Sequence, residues 1–291
     1  LGGEGVHFDK IFICPHRPND HCDCRKPKIG LLKNYLRTNT IDWLNSFVLG
    51  DRNTDIELAL NLGARGIHLL ANKNTKAHPG AEFSTSSGVQ ACEYIFRSSR
   101  MAAINRKTNE TAISACVALG GTGVYNIATG IGFFDHLLSQ LSRHSRIDID
   151  LRVKGDLEID EHHTVEDTGI VLGEAIRKAM GTKKGIARFG FAAPLDEALA
   201  EVVLDFSGRR HLSFDCSFKR ERVGDFPTEL AADFFAAFAD GLMATLHIRC
   251  KGRNEHHKLE AIFKATAVAL RHAVQIDRRA LKSLPTTKGI L

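Results

Sequence analysis

Two stretches of the chain, EHHTVED (161–167) and EHHKLEA (255–261), carry the same H-H-x-x-E pattern. Displacing the sequence by 94 positions lays His162 on His256, His163 on His257 and Glu166 on Glu260, and then Arg177 on Arg271 and Ala179 on Ala273. Upstream, LRVKG (151–155) resembles HIRCKG (247–252), a strand followed by a turn. FFDHLL (133–138) lines up with AADFFAAF (231–238) once a short indel is allowed, which sets His136 opposite Asp233. Helix, strand, then H-H-x-x-E helix therefore occurs twice, and this predicts a duplicated half-domain.

The spacing carries chemistry. On a helix, His163 and Glu166 (i, i+3) and His162 and Glu166 (i, i+4) share a face and can converge on one ion. Adjacent histidines diverge by about 100° around a helix, so one of each pair can serve the glutamate's ion while its neighbour turns to a second. Two repeats supply enough imidazole and carboxylate for two metals. Without thiolate, such a set suits Mn, Fe, Ni or Zn better than Ca or Mg. The plainer alternative is solvated histidines at two helix starts; repetition at matched positions, with His136 and Asp233 matched as well, favours metal. Cations and hydroxyls that suit a phosphomonoester surround the repeat: Arg188 in RFG, Arg209 in GRRH, Lys264, and Thr286 and Lys288 in TTKG.

At 291 residues the chain has room for two domains. Its 43% hydrophobic and 25% charged residues are those of a globular protein. No apolar run approaches the roughly 18–20 residues that span a bilayer. The opening LGGEGVHFDK lacks the basic-then-apolar profile of a secretion signal. It starts on Leu1, so a missing N-terminal piece is expected. A net charge of +5 with no concentrated basic stripe excludes a nucleic-acid binder and leaves small anionic substrates. Cys14, Cys22 and Cys24 crowd together while Cys92, Cys116, Cys216 and Cys250 are scattered, as in a reduced cytoplasmic protein.

Two regions differ in pattern. In residues 1–72, FDKIFIC (8–14), SFVLGD (46–51) and ARGIHLL (64–70) read as strands, and KIGLLKNYLRTN (28–39) and DIELALNLGA (55–64) as helices, the latter closed by Gly63. That alternation predicts an α/β parallel sheet. Residues 73–101, rich in Asn, Thr, Ser, Gly and Pro, read as a linker. Residues 102–291 mix strands with helices at TGIGFFDHLLSQLSRHS and HHTVEDTGIVLGEAIRKAM, the second ending at Gly181, and predict an α+β class. AAINRKTNETAISACVAL reads as an alternating strand and RIDIDLRVKGDLEI as strands.

The second region closely resembles the imidazoleglycerol-phosphate dehydratase family through RKTNET, TGIGFFDHLL, KGDLEIDEHHTVEDTG, RFGFAAPLDEAL, SGRRHL, KGRNEHHKLEAIFKA and the closing TTKG. The resemblance implies a duplicated βα half-domain, a 24-subunit homo-oligomer with sites where subunits meet, and two Mn²⁺ ions per site. It implies His136, His162, His163, Glu166, His256, His257 and Glu260 as Mn ligands. Glu110 becomes a substrate-side carboxylate, and Arg188, Arg209, Lys264, Thr286 and Lys288 become contacts to the substrate and its phosphate. The family has histidine where this chain has Asp233; aspartate can still ligate Mn, so the departure either alters affinity or impairs the site. The family's closing P-S-T-K-G is P-T-T-K-G here, which keeps a hydroxyl. The implied reaction removes water from imidazole glycerol phosphate, with the ring held between two Lewis-acidic ions and Glu110 or Glu166 moving protons. Rival readings are a metal-storage scaffold and a di-metal hydrolase.

In the first region, CPHRPNDHCDCRKP (14–27) holds Cys14, His16, Cys22 and Cys24, a ligand set suited to one closed structural Zn²⁺ site. With the following RKP and with GDRNTD (50–55), it resembles the histidinol-phosphate phosphatase half of a bifunctional histidine-biosynthesis enzyme, a haloacid-dehalogenase-like fold. The resemblance implies Lys26 as the lysine that steadies a phosphorylated intermediate, and Asp51 and Asp55 as Mg²⁺ groups in a complete phosphatase. The family's nucleophilic D-x-D motif has no counterpart before Phe8, so this domain is expected to be partial and without phosphatase activity.

Overall fold

Residues 8–72, 74–190, 193–277 and 279–291 are described by a computed structural model, in which the chain divides into units Leu1–Ser99 and Arg100–Leu291. The first unit contains α1 (Lys33–Thr38), β1 (Phe47–Gly50), α2 (Asn53–Leu62), β2 (Arg65–Leu69), β3 (Phe83–Thr85) and α3 (Gly88–Ser98). Its three strands pair parallel in the order β1-β2-β3, as the alternating pattern predicts. Helix α2 buries Ile56, Leu58 and Ala59 and stops at Gly63, whose φ of +70° is one that glycine adopts at little cost.

Three expectations for this region are corrected. Residues 8–14 form no strand: a run needs a partner to satisfy its backbone, none of the three strands pairs with it, and Ile11 and Ile13 are exposed. The helix expected over 28–39 shrinks to a 3₁₀ turn at Gly30–Leu32 and the six-residue α1. Residues 73–101 are not a linker. They supply β3, the third strand of the sheet, and α3, which is capped where the Ser87 hydroxyl accepts the Gln90 N–H.

The second unit is built twice. Its first half runs β4 (Met101–Lys107), β5 (Thr111–Ala118), β6 (Tyr125–Ala128), α4 (Gly132–Ser145), β7 (Asp148–Gly155) and α5 (His162–Met180). Its second half runs β8 (Phe189–Gly190), β9 (Ala193–Leu195), β10 (Ala198–Asp205), β11 (His211–Asp215), β12 (Arg222–Val223), β13 (Phe226–Pro227), α6 (Leu230–Leu242), β14 (Thr245–Lys251) and α7 (Glu255–Ala273). Sheet order β4-β5-β7-β6 in one half answers β8-β10-β14-β11 in the other. The senses match too: β5 and β10 run antiparallel to β7 and β14, while β6 and β11 run parallel to them. The short β12–β13 hairpin belongs to the second half alone. The run 102–119 is a hairpin of two strands rather than one, and 146–159 yields the single strand β7.

The two halves meet through their helices, α4 against α7 and α5 against α6. Strand β10 turns Ala200, Val202 and Leu204 inward and leaves Leu199 and Val203 exposed, the alternation of a sheet covered on one face. Between α5 and α6 the backbones nearly touch: a Cβ on Gly173 would lie 2.5 Å from the Phe238 carbonyl oxygen, and one on Gly241 2.3 Å from that of Ile170. Fully buried Phe134, Phe234, Phe235, Phe238 and Phe263 fill the centre, each worth about 1.5–3 kcal/mol by burial. Among the described residues no helix is long and apolar enough to cross a membrane.

Candidate active site

Both H-H-x-x-E motifs open a helix. Asp160 Oδ1 accepts the His162 N–H at 2.8 Å at the start of α5, and Asn254 Oδ1 accepts the His256 N–H at 2.9 Å at the start of α7. The two histidine rings of each motif are disposed alike. Ring centroids of His162 and His163 are 6.0 Å apart at 81°, and those of His256 and His257 are 6.1 Å apart at 83°. In each motif the first histidine faces the glutamate four residues on: Nε2 of His162 is 3.4 Å from Glu166 Oε2, and Nε2 of His256 is 3.2 Å from Glu260 Oε1.

A three-ligand group forms across the duplication. His136 of α4 sends Nε2 to 2.6 Å from Glu260 Oε1, and ligand atoms of His136, His256 and Glu260 all lie within 4.8 Å of one another. Two imidazoles and a carboxylate without thiolate fit a divalent ion such as Mn²⁺. Burial pushes the Glu260 carboxyl up, but hydrogen bonds from His136 and Lys264 outweigh it and pull it down to about 2. The group therefore offers an ionised oxygen at neutral pH. His162, His163, Glu166, Asp233 and His257 join no such group among the described residues. Glu110, at the tip of the β4–β5 hairpin, brings Oε1 to 3.8 Å from His163 Nε2. Asp167 fixes that hairpin by accepting from the Thr111 hydroxyl and pairing with Arg106.

The phosphate set divides. Arg188, Arg209, Thr286 and Lys288 line one cavity of about 780 Å³ with Ser207. Lys264 lies elsewhere, its Nζ 2.6 Å from Glu260 Oε2 at the metal-spaced group. The Arg188 fork is held by Asp205, at 2.5 Å to Nε and 2.9 Å to Nη2, while Nη1 donates to the Pro285 carbonyl. Asp205 was not singled out by the sequence, nor were Asp156 and Glu197, which accept from Nδ1 of His163 at 3.0 Å and of His257 at 2.8 Å. Both of these last carboxylates stand inside KGDLEIDEHHTVEDTG and RFGFAAPLDEAL, but no spacing rule links Glu197 to His257, 60 residues away.

In the first unit, Cys14, His16, Cys22 and Cys24 close into a second metal-spaced group. The Cys14 sulfur lies 3.3 Å from that of Cys24 and 3.7 Å from that of Cys22. Tetrahedral zinc with bonds of about 2.3 Å sets sulfurs roughly 3.8 Å apart, so the loop is close to that spacing. The Cys24 thiol is pushed up to about 12, first by its hydrogen bond with Cys14 and then by burial. Lys26 pairs with buried Asp55, whose Oδ2 accepts the Arg52 N–H, and Asp51 follows the carboxyl end of β1. A Cβ on Gly50 would lie 2.3 Å from the Asp55 carboxylate, so this close seat requires glycine.

Comparison with known proteins agrees with both units. Residues 129–270 match the family model for imidazoleglycerol-phosphate dehydratase and residues 23–86 that for HAD-hydrolase-like proteins. The histidine biosynthesis bifunctional protein HisB of Bacteroides fragilis is 46% identical over 100% of this chain and 79% of its own length. That of Spirosoma linguale is 45% identical over the same shares. Among solved structures, imidazoleglycerol-phosphate dehydratase from Staphylococcus aureus matches at TM-score 0.56 and 36% identity, covering 61% of this chain and 99% of that one. The Pyrococcus furiosus enzyme, in complex with (S)-C348, matches at TM-score 0.56 and 33% identity, covering 65% and 100%. The chain belongs to the family of bifunctional histidine-biosynthesis HisB proteins, with a haloacid-dehalogenase-like match in its first unit and an imidazoleglycerol-phosphate dehydratase match in its second.

Proposed function

We propose that the second unit dehydrates imidazole glycerol phosphate to imidazole acetol phosphate, a hydro-lyase step of histidine biosynthesis, at a site holding two Mn²⁺ ions. The observation that carries this reading is the convergence of His136 from one half with His256 and Glu260 from the other. The proton to be removed sits on a carbon beside the imidazole ring and is not acidic by itself. Bound at the site, the ions supply Lewis-acid polarisation of that ring. The chain's own groups do the rest. Arg188, Arg209, Thr286 and Lys288 take the phosphate in their cavity. Glu110, half-exposed beside His163, or Glu166 moves a proton at the reacting carbons. Lys264 holds Glu260 ionised. Ligands that stay apart within one chain are completed by further copies, in a homo-oligomer of 24 subunits with sites where they meet.

Turnover of imidazole glycerol phosphate against a panel of generic phosphoesters tests this. Selective water loss from the former is expected, and hydrolysis of the latter would instead support a di-metal hydrolase. For the first unit we propose one structural Zn²⁺ on Cys14, His16, Cys22 and Cys24. Lys26, Asp51 and Asp55 are the groups that would serve Mg²⁺-dependent phosphatase chemistry beside a nucleophilic aspartate.

A further inference from the structure

The second histidine of each motif is held from behind by a carboxylate, and the duplication does not relate the two carboxylates. Asp156 sits just past Gly155 at the end of β7 and accepts from His163 Nδ1 at 3.0 Å. The matching place in the second half, just past Gly252, is Arg253, which cannot accept. There, Glu197 in the turn between β9 and β10 accepts from His257 Nδ1 at 2.8 Å, and also takes the Asn254 N–H at 3.0 Å. Two unrelated positions thus give one arrangement, which inheritance from a single ancestral half does not explain but a shared demand on the ring does.

That demand is legible in imidazole chemistry. A neutral ring carries one N–H, and an acceptor at Nδ1 places it there, leaving the lone pair on Nε2 across the ring. Outer carboxylates that orient metal-binding histidines act this way, and their loss costs about 10- to 100-fold in metal affinity. We propose that Asp156 and Glu197 are positioning residues, setting His163 and His257 to the tautomer and orientation that offer Nε2 to a divalent ion. Glu197 is the more firmly placed of the two, because its bond to the N-cap residue of α7 ties it to the helix that carries its histidine.

This inference rests on the metal-centre reading above, and the test separates the two. Mn²⁺ titration calorimetry on the metal-stripped chain compares the parent with Asp156→Ala, Glu197→Ala, Asp156→Asn and Glu197→Gln, alongside thermal melts of each metal-free chain. Each alanine variant is expected to bind Mn²⁺ about 10- to 100-fold more weakly with an unchanged metal-free melt. Each amide variant, whose oxygen still accepts the Nδ1 proton, is expected to lose only a few-fold. Alanine variants that bind like the parent overturn the inference, and so does weakening that merely tracks a lowered melt and is not relieved by the amide. Should an alanine variant fail to fold, its amide decides: a few-fold loss with a normal melt supports the role, and parent-like binding overturns it. A parent that takes up no Mn²⁺ sinks the metal-centre reading itself.

Discussion

His136 Nε2, from the first half of the duplicated unit, stands 2.6 Å from Glu260 Oε1, from the second. The contact crosses the α4–α7 seam, so the candidate metal site and the packing of the two halves depend on the same pair of helices.

One consequence is a pH dependence in the metal-free chain. Glu260 is held at about 2, against an ordinary 4.5, because His136 and Lys264 outweigh the cost of burial. Its folded value lies below its unfolded one, so the unfolded state binds more protons on this group at acid pH. The stabilisation is present above 4.5 and is lost as pH falls through about 2. Melting temperatures of the metal-free chain should fall across that window, and Glu260→Gln should flatten the fall; equal slopes in both would remove Glu260 as the cause.

Glu110 lies near the open nitrogen of His163 but outside the three-ligand group. Glu110→Gln should therefore lower kcat by about 10²- to 10⁴-fold, the range for losing a proton-transfer group. Bound Mn²⁺, measured by elemental analysis, should remain at the parent level.

Asp233 is the place where the repeat breaks, an aspartate on α6 opposite His136 on α4. Asp233→His should keep or raise Mn²⁺ affinity in a calorimetric titration, because imidazole restores the nitrogen donor that the repeat places there. A clear loss of Mn²⁺ would show that the two positions are not equivalent.

The cysteine loop should hold one Zn²⁺ per chain. Cys22→Ser removes one of its thiolates and should lower bound zinc well below one equivalent, with proteolysis within residues 14–27 increasing, since a closed zinc site contributes folding energy outright. Full zinc retention in Cys22→Ser would rule out Cys22 as a ligand, and a parent chain that binds no zinc would leave the loop as free thiols.

Much of this architecture was legible because the repeat is exact at the two H-H-x-x-E motifs. His162, His163 and Glu166 overlie His256, His257 and Glu260, and the matching sheets follow from that duplication. The linker reading failed because α3 begins within a Ser- and Thr-rich stretch and β3 is three residues long, too short for periodicity to register. The strand expected at 8–14 failed for the opposite reason: its composition suits a strand, but pairing is a tertiary event that composition does not report. Asp156, Glu197 and Asp205 were missed because each acts through a side chain 7 to 60 residues away. The separation of Lys264 from the phosphate cavity likewise depends on which face of α7 meets Glu260, a matter of packing rather than motif.

The most direct test follows imidazole acetol phosphate formation by the metal-stripped chain as Mn²⁺ is added back. Turnover should be absent without metal, rise with Mn²⁺ and level off when two ions are bound per site. Turnover that persists in the stripped chain, or a chain fully loaded with Mn²⁺ that forms no product, would contradict the account.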